Sequence, residues 1–121
     1  GYVLSGVCMQ RLVRRICSHC KREADETRAV RQQVGFALPE NAQFFAGAGC
    51  EACQKTGYLG RVGVYEVVRL TNELKGLLVK GAPLLQFKKA LRLLGVPTLR
   101  RDGAAKAEQG QTTLNEVVRV T

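Results

Sequence analysis

With 121 residues the chain has room for one domain or two very small ones, and a content of 45% hydrophobic and 24% charged residues excludes a disordered or fibrous polymer. Nineteen Lys and Arg against ten Asp and Glu give a formal charge of +9, which invites an anionic partner. The basic residues are scattered from Arg11 to Arg119 with no block of five, so the expected reading is a solvated or subunit-facing surface, and no nucleic acid is expected as a partner.

No run of 18 apolar residues is present, and the start "GYVLSGVCMQ" lacks the order of a signal peptide. The missing initiating Met leads us to expect a piece of a larger protein. After the apolar start, "RLVRRIC" at 11 to 17 fits a helix running into a strand, or a single bent element. "ADETRAVRQQVG" predicts a short polar helix stopped by Gly35, "FALPENAQ" a loop, and "FFAGAGC" a short strand leading to Cys50.

Glycines at 57, 60 and 63, followed by alternation through Val64, Glu66 and Val68, predict a turn and then a strand. Everything after Thr71 reads as helical. Leu74, Leu77 and Leu78 lie on one face of a helix capped by Thr71 and stopped by Gly81. Pro83 opens a second helix, with Leu84, Phe87, Leu91 and Leu94 expected to form a core stripe. "TLRRDGAAKAEQG" is a third helix weakened by Gly103, and Thr113 with Glu116 forms a capping box for a last short helix.

The chemistry concentrates in "CSHC" and "CEAC", which place Cys17, Cys20, Cys50 and Cys53 in the pattern C-x2-C-x29-C-x2-C. A two-residue spacer lets one turn of chain aim two sulfurs at one point, and two such knuckles supply a tetrahedral soft-metal site, with zinc the leading metal. The long gap must carry structure of its own. Four thiolates around Zn²⁺ leave a net charge of −2, which Arg14, Arg15, Lys21, Arg22, Lys55 and Arg61 can offset. Four protein ligands leave no position for substrate, so the site is expected to be structural.

Two disulfides, a thiol redox pair, iron on the same thiolates or an iron–sulfur cluster fit the four cysteines less well: nothing indicates an oxidising compartment, and a redox motif uses one pair. His19 is expected to be a surface bystander, and Cys8, in an apolar segment, a core residue rather than a nucleophile. "GAGCEA" and "GYLG" match nucleotide- and RNA-binding patterns only loosely, since Cys50 belongs to a knuckle and a strand follows Gly60. No phosphate-binding loop, H-E-x-x-H motif or catalytic triad is present in the chain. The residues by themselves describe a basic, metal-clamped α+β module. As a stand-alone zinc ribbon it would bind nucleic acid, and as a thiol redox protein it would expose reactive sulfurs.

"QRLVRRICSHC", "GCEACQKTGYLGRVGVYEV", "TLRRDG" and "GQTTLNEVVRV" resemble, in order and spacing, the C-terminal third of the hexameric ATPases that power type II secretion and type IV pilus assembly. The resemblance covers nearly the whole chain, and the tetracysteine spacing joined to Gly57–Glu66 is its most specific part. It implies that 1–16 end a RecA-like motor core, that 17–66 form a small zinc-binding subdomain through Cys17, Cys20, Cys50 and Cys53, and that 67–121 supply a strand and the C-terminal helices. It further implies a homohexameric ring at the cytoplasmic side of the bacterial inner membrane, working with platform and adaptor proteins. ATP and Mg²⁺ would bind only in the intact parent, because the phosphate-binding loop has no counterpart here. Arg61 would approach the nucleotide edge or a neighbouring subunit, or serve as counter-charge to the thiolates. Ser18 stands where the family frequently has Pro, and Cys8 where a small residue such as Ala is expected.

Overall fold

Alternating valines and glycines let β4 (Tyr58–Arg69) lie flat against β1 (Gly6–Ile16) in a computed structural model that describes residues 6–25 and 28–121. The pair is antiparallel, from Gly6 opposite Arg69 to Ile16 opposite Tyr58, with a register shift between Arg14 and Ile16. Residues 11 to 16 therefore lie in one bulged strand with Cys17 directly after it, the single bent element and not a helix running into a strand. Its arginines hide the period of two, because most of β1 is exposed and only Val13 and Ile16 are buried. Cys8, expected in the core, is exposed for the same reason.

The long insert between the cysteine pairs does carry structure. β2 (Lys21–Glu23), which sequence reasoning missed, pairs antiparallel with β3 (Phe45–Gly47). Three exposed charged residues give too weak a pattern to read as a strand. The polar helix α1 spans Arg28–Gln33, with Gly35 at φ 84° just beyond it; the expected helix also took in residues 26 and 27, which lie outside the described residues.

Four helices follow β4, in the expected order. α2 (Asn72–Val79) starts at Thr71, whose side chain accepts from Leu74 N, and the chain turns at Gly81 with φ 65°. α3 (Leu84–Leu93) opens after Pro83. Its expected core stripe is only half right: Phe87 and Leu91 pack with Ala90 against Val68, Leu70 and Leu74, whereas Leu84 and Leu94 are exposed. Leu78, placed with Leu74 and Leu77 on one face, is exposed too. With only Val68 of β4 and Leu70 just after it joining this cluster, the helix pair buries a narrow strip.

α4 (Leu99–Glu108) is capped by Thr98, and α5 (Leu114–Val120) by Thr113. Gly103, which weakens α4 on propensity alone, is buried, and a Cβ there would meet Val117 Cγ1 at 2.5 Å. Its small size lets α4 and α5 touch. These helices share a core with the insert: Val34 and Phe44 pack with Ala104, Ala107 and Leu114, flanked by Val30, Phe36, Leu38, Ala42 and Val118. The cysteine-bearing insert is thus fused to the last two helices through apolar contact.

Polar contacts reinforce the union. Asp102 accepts from Tyr65 N at 2.7 Å and from Lys106 Nζ at 2.8 Å, and the same ammonium donates to Gly63 O at 2.6 Å. This ties α4 to β4. Part of the basic surface covers aromatic rings, with Arg14 over Tyr58 at 4.2 Å, Arg101 over Phe36 at 4.3 Å and Lys106 over Tyr65 at 4.6 Å.

Candidate metal centre

Cys17 follows directly on β1, and a turn through Ser18 and His19 brings Cys20 back to the start of β2. The second knuckle leaves β3 and returns through a run of turns in which Gln54 and Lys55 take φ of 55° and 67°. Lys55 N donates to Cys50 O at 2.8 Å, and Thr56 Oγ1 donates to Cys53 O at 2.7 Å while accepting from Tyr58 N at 3.2 Å. The two knuckles are then joined by Ala48 N donating to Cys20 O and Cys17 N donating to Gly57 O, each at 3.0 Å. Local turns aim each pair, and the strand ends aim the pairs at each other.

All four sulfurs lie within 4.8 Å of one another. Cys17 and Cys50 are 3.8 Å apart, Cys20 and Cys53 3.8 Å, and Cys50 and Cys53 3.6 Å. Metal–sulfur bonds of about 2.3 Å in a regular tetrahedron put neighbouring sulfurs about 3.8 Å apart, so the donor set fits a four-coordinate soft metal. None of the cysteines is in a disulfide. Cys17 and Cys53 are buried and the other two half-buried, which leaves the centre closed on its inner side.

Backbone donors prepare the sulfurs for negative charge. Gly57 N and Cys50 N donate to Cys53 Sγ at 3.2 and 3.3 Å, and Gly49 N donates to Cys20 Sγ at 3.4 Å. Burial pushes the Cys53 thiol up, but those two N–H groups, with Cys50 and Cys20 beside it, outweigh burial and bring it down to about 6. Cys20 goes the other way: burial and the neighbouring thiols outweigh Gly49 N and raise it to about 11. Of this interacting pair the first proton is lost from Cys53, the sulfur with two N–H donors, and its charge helps to raise Cys20.

Two glycines make the crossing of the knuckles possible. A Cβ on Gly47 would lie 2.2 Å from Gly57 O, and one on Gly57, which has φ 82°, would lie 2.7 Å from Gly47 O. We expect Gly57→Ala to destabilise the fold by about 2–3 kcal/mol through the left-handed backbone and the clash together. Chemical denaturation at neutral pH checks this, and Gly60→Ala, with a similar φ but open space, separates the two causes.

The remaining sequence candidates lie apart from the four sulfurs. His19 is exposed, and Cys8 is exposed on β1. Arg61 is exposed on β4 opposite Arg14, and among the described residues its guanidinium makes no ion pair. Arg14, counted among the charges that offset the thiolates, instead donates to Glu116 and covers Tyr58.

Glu116 is the polar hub that sequence reasoning missed. Its carboxylate is almost fully buried and receives Arg14 from β1, with Nη2 at 2.9 Å, and Arg119 from its own helix. Thr113 accepts from Glu116 N, as the capping box predicts, but the carboxylate is directed to the arginines. Thr112 Oγ1 donates to Arg14 O at 2.8 Å, Tyr58 Oη and Thr113 Oγ1 share a 2.8 Å hydrogen bond, and Ile16 N donates to Gln111 O. The spacing of Glu116 and Arg119 was readable as an i,i+3 pair. Arg14, 102 residues away, was not.

The sequence model of the family described as "Type II/IV secretion system protein" matches residues 2–119. A type IV pilus assembly ATPase PilB of Thermus thermophilus is 41% identical over 117 residues, covering 95% of this chain and 13% of the relative. The type IV pilus assembly ATPase TfpB of Acinetobacter baylyi is 41% identical over 121 residues, covering 97% of this chain and 20% of the relative. The type II secretion system protein E of Aeromonas hydrophila is 36% identical over 118 residues, covering 98% of this chain and 23% of the relative. The chain therefore spans about a quarter or less of the length of these relatives. With the tetracysteine cluster and these matches in one chain, it belongs to the type II/IV secretion system protein family.

Proposed function

We propose that this chain is the zinc-binding C-terminal part of a cytoplasmic, homohexameric ATPase that drives type II secretion or type IV pilus assembly. In this reading 1–16 end a RecA-like motor core, 17–66 are a zinc subdomain held by Cys17, Cys20, Cys50 and Cys53, and 67–121 complete the motor with a strand and helices. The observation that carries it is the coincidence, in one chain, of a four-sulfur cluster with tetrahedral spacing and a family match to secretion and pilus ATPases.

Zinc, when bound, supplies structural cross-linking rather than catalysis, because four thiolates complete its coordination. The chain's own residues do the rest. The N–H groups of Gly49, Cys50 and Gly57 stabilise thiolate charge, and the Arg14–Glu116 pair holds the end of the first strand to the last helix. Nucleotide and Mg²⁺ are assigned to the longer parent, with Arg61 reaching the nucleotide edge or a neighbouring subunit. Platform and adaptor proteins at the inner membrane are the proposed partners.

The parent gene tests this reading. We expect a phosphate-binding loop within a few hundred residues upstream and ATP hydrolysis by the full-length protein. An upstream region without any nucleotide-binding motif would overturn it.

A further inference from the structure

The apolar strip buried by α3 is narrow, and what it leaves outside is unusual. Phe87, Ala90 and Leu91 face Val68, Leu70 and Leu74. At 100° per residue the opposite arc of α3 carries Leu85, Lys88, Lys89, Arg92 and Leu93, and all five are exposed, as is Leu84 on the stripe of Phe87 and Leu91. Leu93 is 89% exposed, Leu84 68% and Leu85 66%, and Val79 at the end of α2 is 88% exposed.

Large apolar side chains this exposed, interleaved with cations, are not a solvated face. From Leu74 to Leu99 there is no acidic residue, while Lys75, Lys80, Lys88, Lys89 and Arg92 are all cationic. None of these five is in an ion pair among the described residues. The hairpin is thus a local block of uncompensated positive charge with leucines projecting through it.

We propose that the outer face of the α2–α3 hairpin docks on an anionic lipid bilayer. Charge complementarity selects the occupant: a cationic face without a single acid is drawn to anionic headgroups, and leucines beside the cations reach the acyl boundary while the lysine stems extend back to the phosphates. The face is presented by two helices and their connection, and exposed helical leucines beside unpaired cations suit a headgroup surface. No described helix is long and apolar enough to cross a membrane, so the contact is interfacial. The inference gives the membrane placement proposed above a physical contact, but it is tested without nucleotide or ring assembly. Failure of vesicle binding would leave the ATPase reading standing, and absence of a phosphate-binding loop would leave the vesicle result standing.

The test is co-sedimentation of the 121-residue chain with vesicles of phosphatidylcholine alone or with added phosphatidylglycerol, at low and high salt. We expect binding to the anionic vesicles only. The triple variant Lys88→Gln, Lys89→Gln, Arg92→Gln should weaken partitioning about 100-fold, as the loss of three interfacial cations implies, and Leu85→Ser with Leu93→Ser should also weaken it. A charge-matched control, Arg11→Gln, Arg28→Gln, Arg69→Gln, removes three exposed cations outside the hairpin and should bind nearly as the parent does. All six substituted cations, with Leu85 and Leu93, are on the surface, and unchanged circular dichroism confirms the fold of each variant. No binding to anionic vesicles, or equal weakening by both triple variants, overturns the proposal; the first outcome points to a protein partner, the second to diffuse attraction by net charge.

Discussion

Replacing Cys53 by Ser is expected to abolish metal binding and to unfold the chain at a temperature at least ~15 °C below the parent. Structural zinc in thiolate sites contributes on the order of 10 kcal/mol to folding, and Cys53 supports more than the metal. Its buried sulfur accepts from Cys50 N and Gly57 N, and its carbonyl accepts from Thr56. A serine hydroxyl is shorter, is not ionised at neutral pH and is a poorer ligand for a soft metal. The loss should not stay local, because the insert between the knuckles shares Val34 and Phe44 with the core of α4 and α5. Cys8→Ser, on the exposed strand, should leave both metal content and melting unchanged. Thermal melting with elemental analysis of the two variants checks the pair, and a Cys53→Ser protein that keeps its metal and its midpoint would contradict the assignment.

The second large effect concerns Glu116. Glu116→Gln is expected to destabilise the protein at neutral pH by about 2–3 kcal/mol, less than the full cost of breaking a buried pair, because Arg14 and Arg119 are half-exposed and regain water. Burial alone would raise the Glu116 pKa, but hydrogen bonds from Arg119 and Arg14 outweigh it and hold the group down at about 2, against an ordinary 4.5. A depressed carboxyl stabilises the fold above its ordinary pKa, and that contribution is lost as pH falls from about 4.5 through about 2. After discounting for solvent screening it is on the order of 2 kcal/mol. Urea denaturation at pH 7 and near pH 2.5 should therefore show a wide gap between parent and Glu116→Gln at the first pH and a narrow one at the second. A constant gap would mean that the ion pairs contribute little.

What could be read from the sequence was whatever depends on neighbours in the chain. The two-residue spacers announced both knuckles, Thr71 and Thr113 announced their helices, and the alternation after Gly63 announced β4. What could not be read depends on pairs made late. β1 was ambiguous because adjacent Arg14 and Arg15 and the exposed Leu12 break the period of two, and only its ladder with β4, some 50 residues on, defines it. Gly103 counted against α4 until the contact with Val117 gave it a reason. Leu84 fell on the right face by periodicity, yet the strip it should have covered is too narrow to reach it. For the site, spacing picked out the four cysteines that come together but not the amide groups of Gly49 and Gly57 that donate to them. Nor did it connect Glu116 with Arg14, because no local pattern links the first strand to the last helix.

The four sulfurs are proposed to bind one metal ion as thiolates. Elemental analysis of the purified chain, combined with thiol titration before and after chelation under denaturing conditions, measures this. One zinc per chain is predicted, with a single reactive thiol, Cys8, in the native protein and all five after metal removal. A metal-free, folded protein in which Cys17, Cys20, Cys50 and Cys53 titrate freely would contradict it.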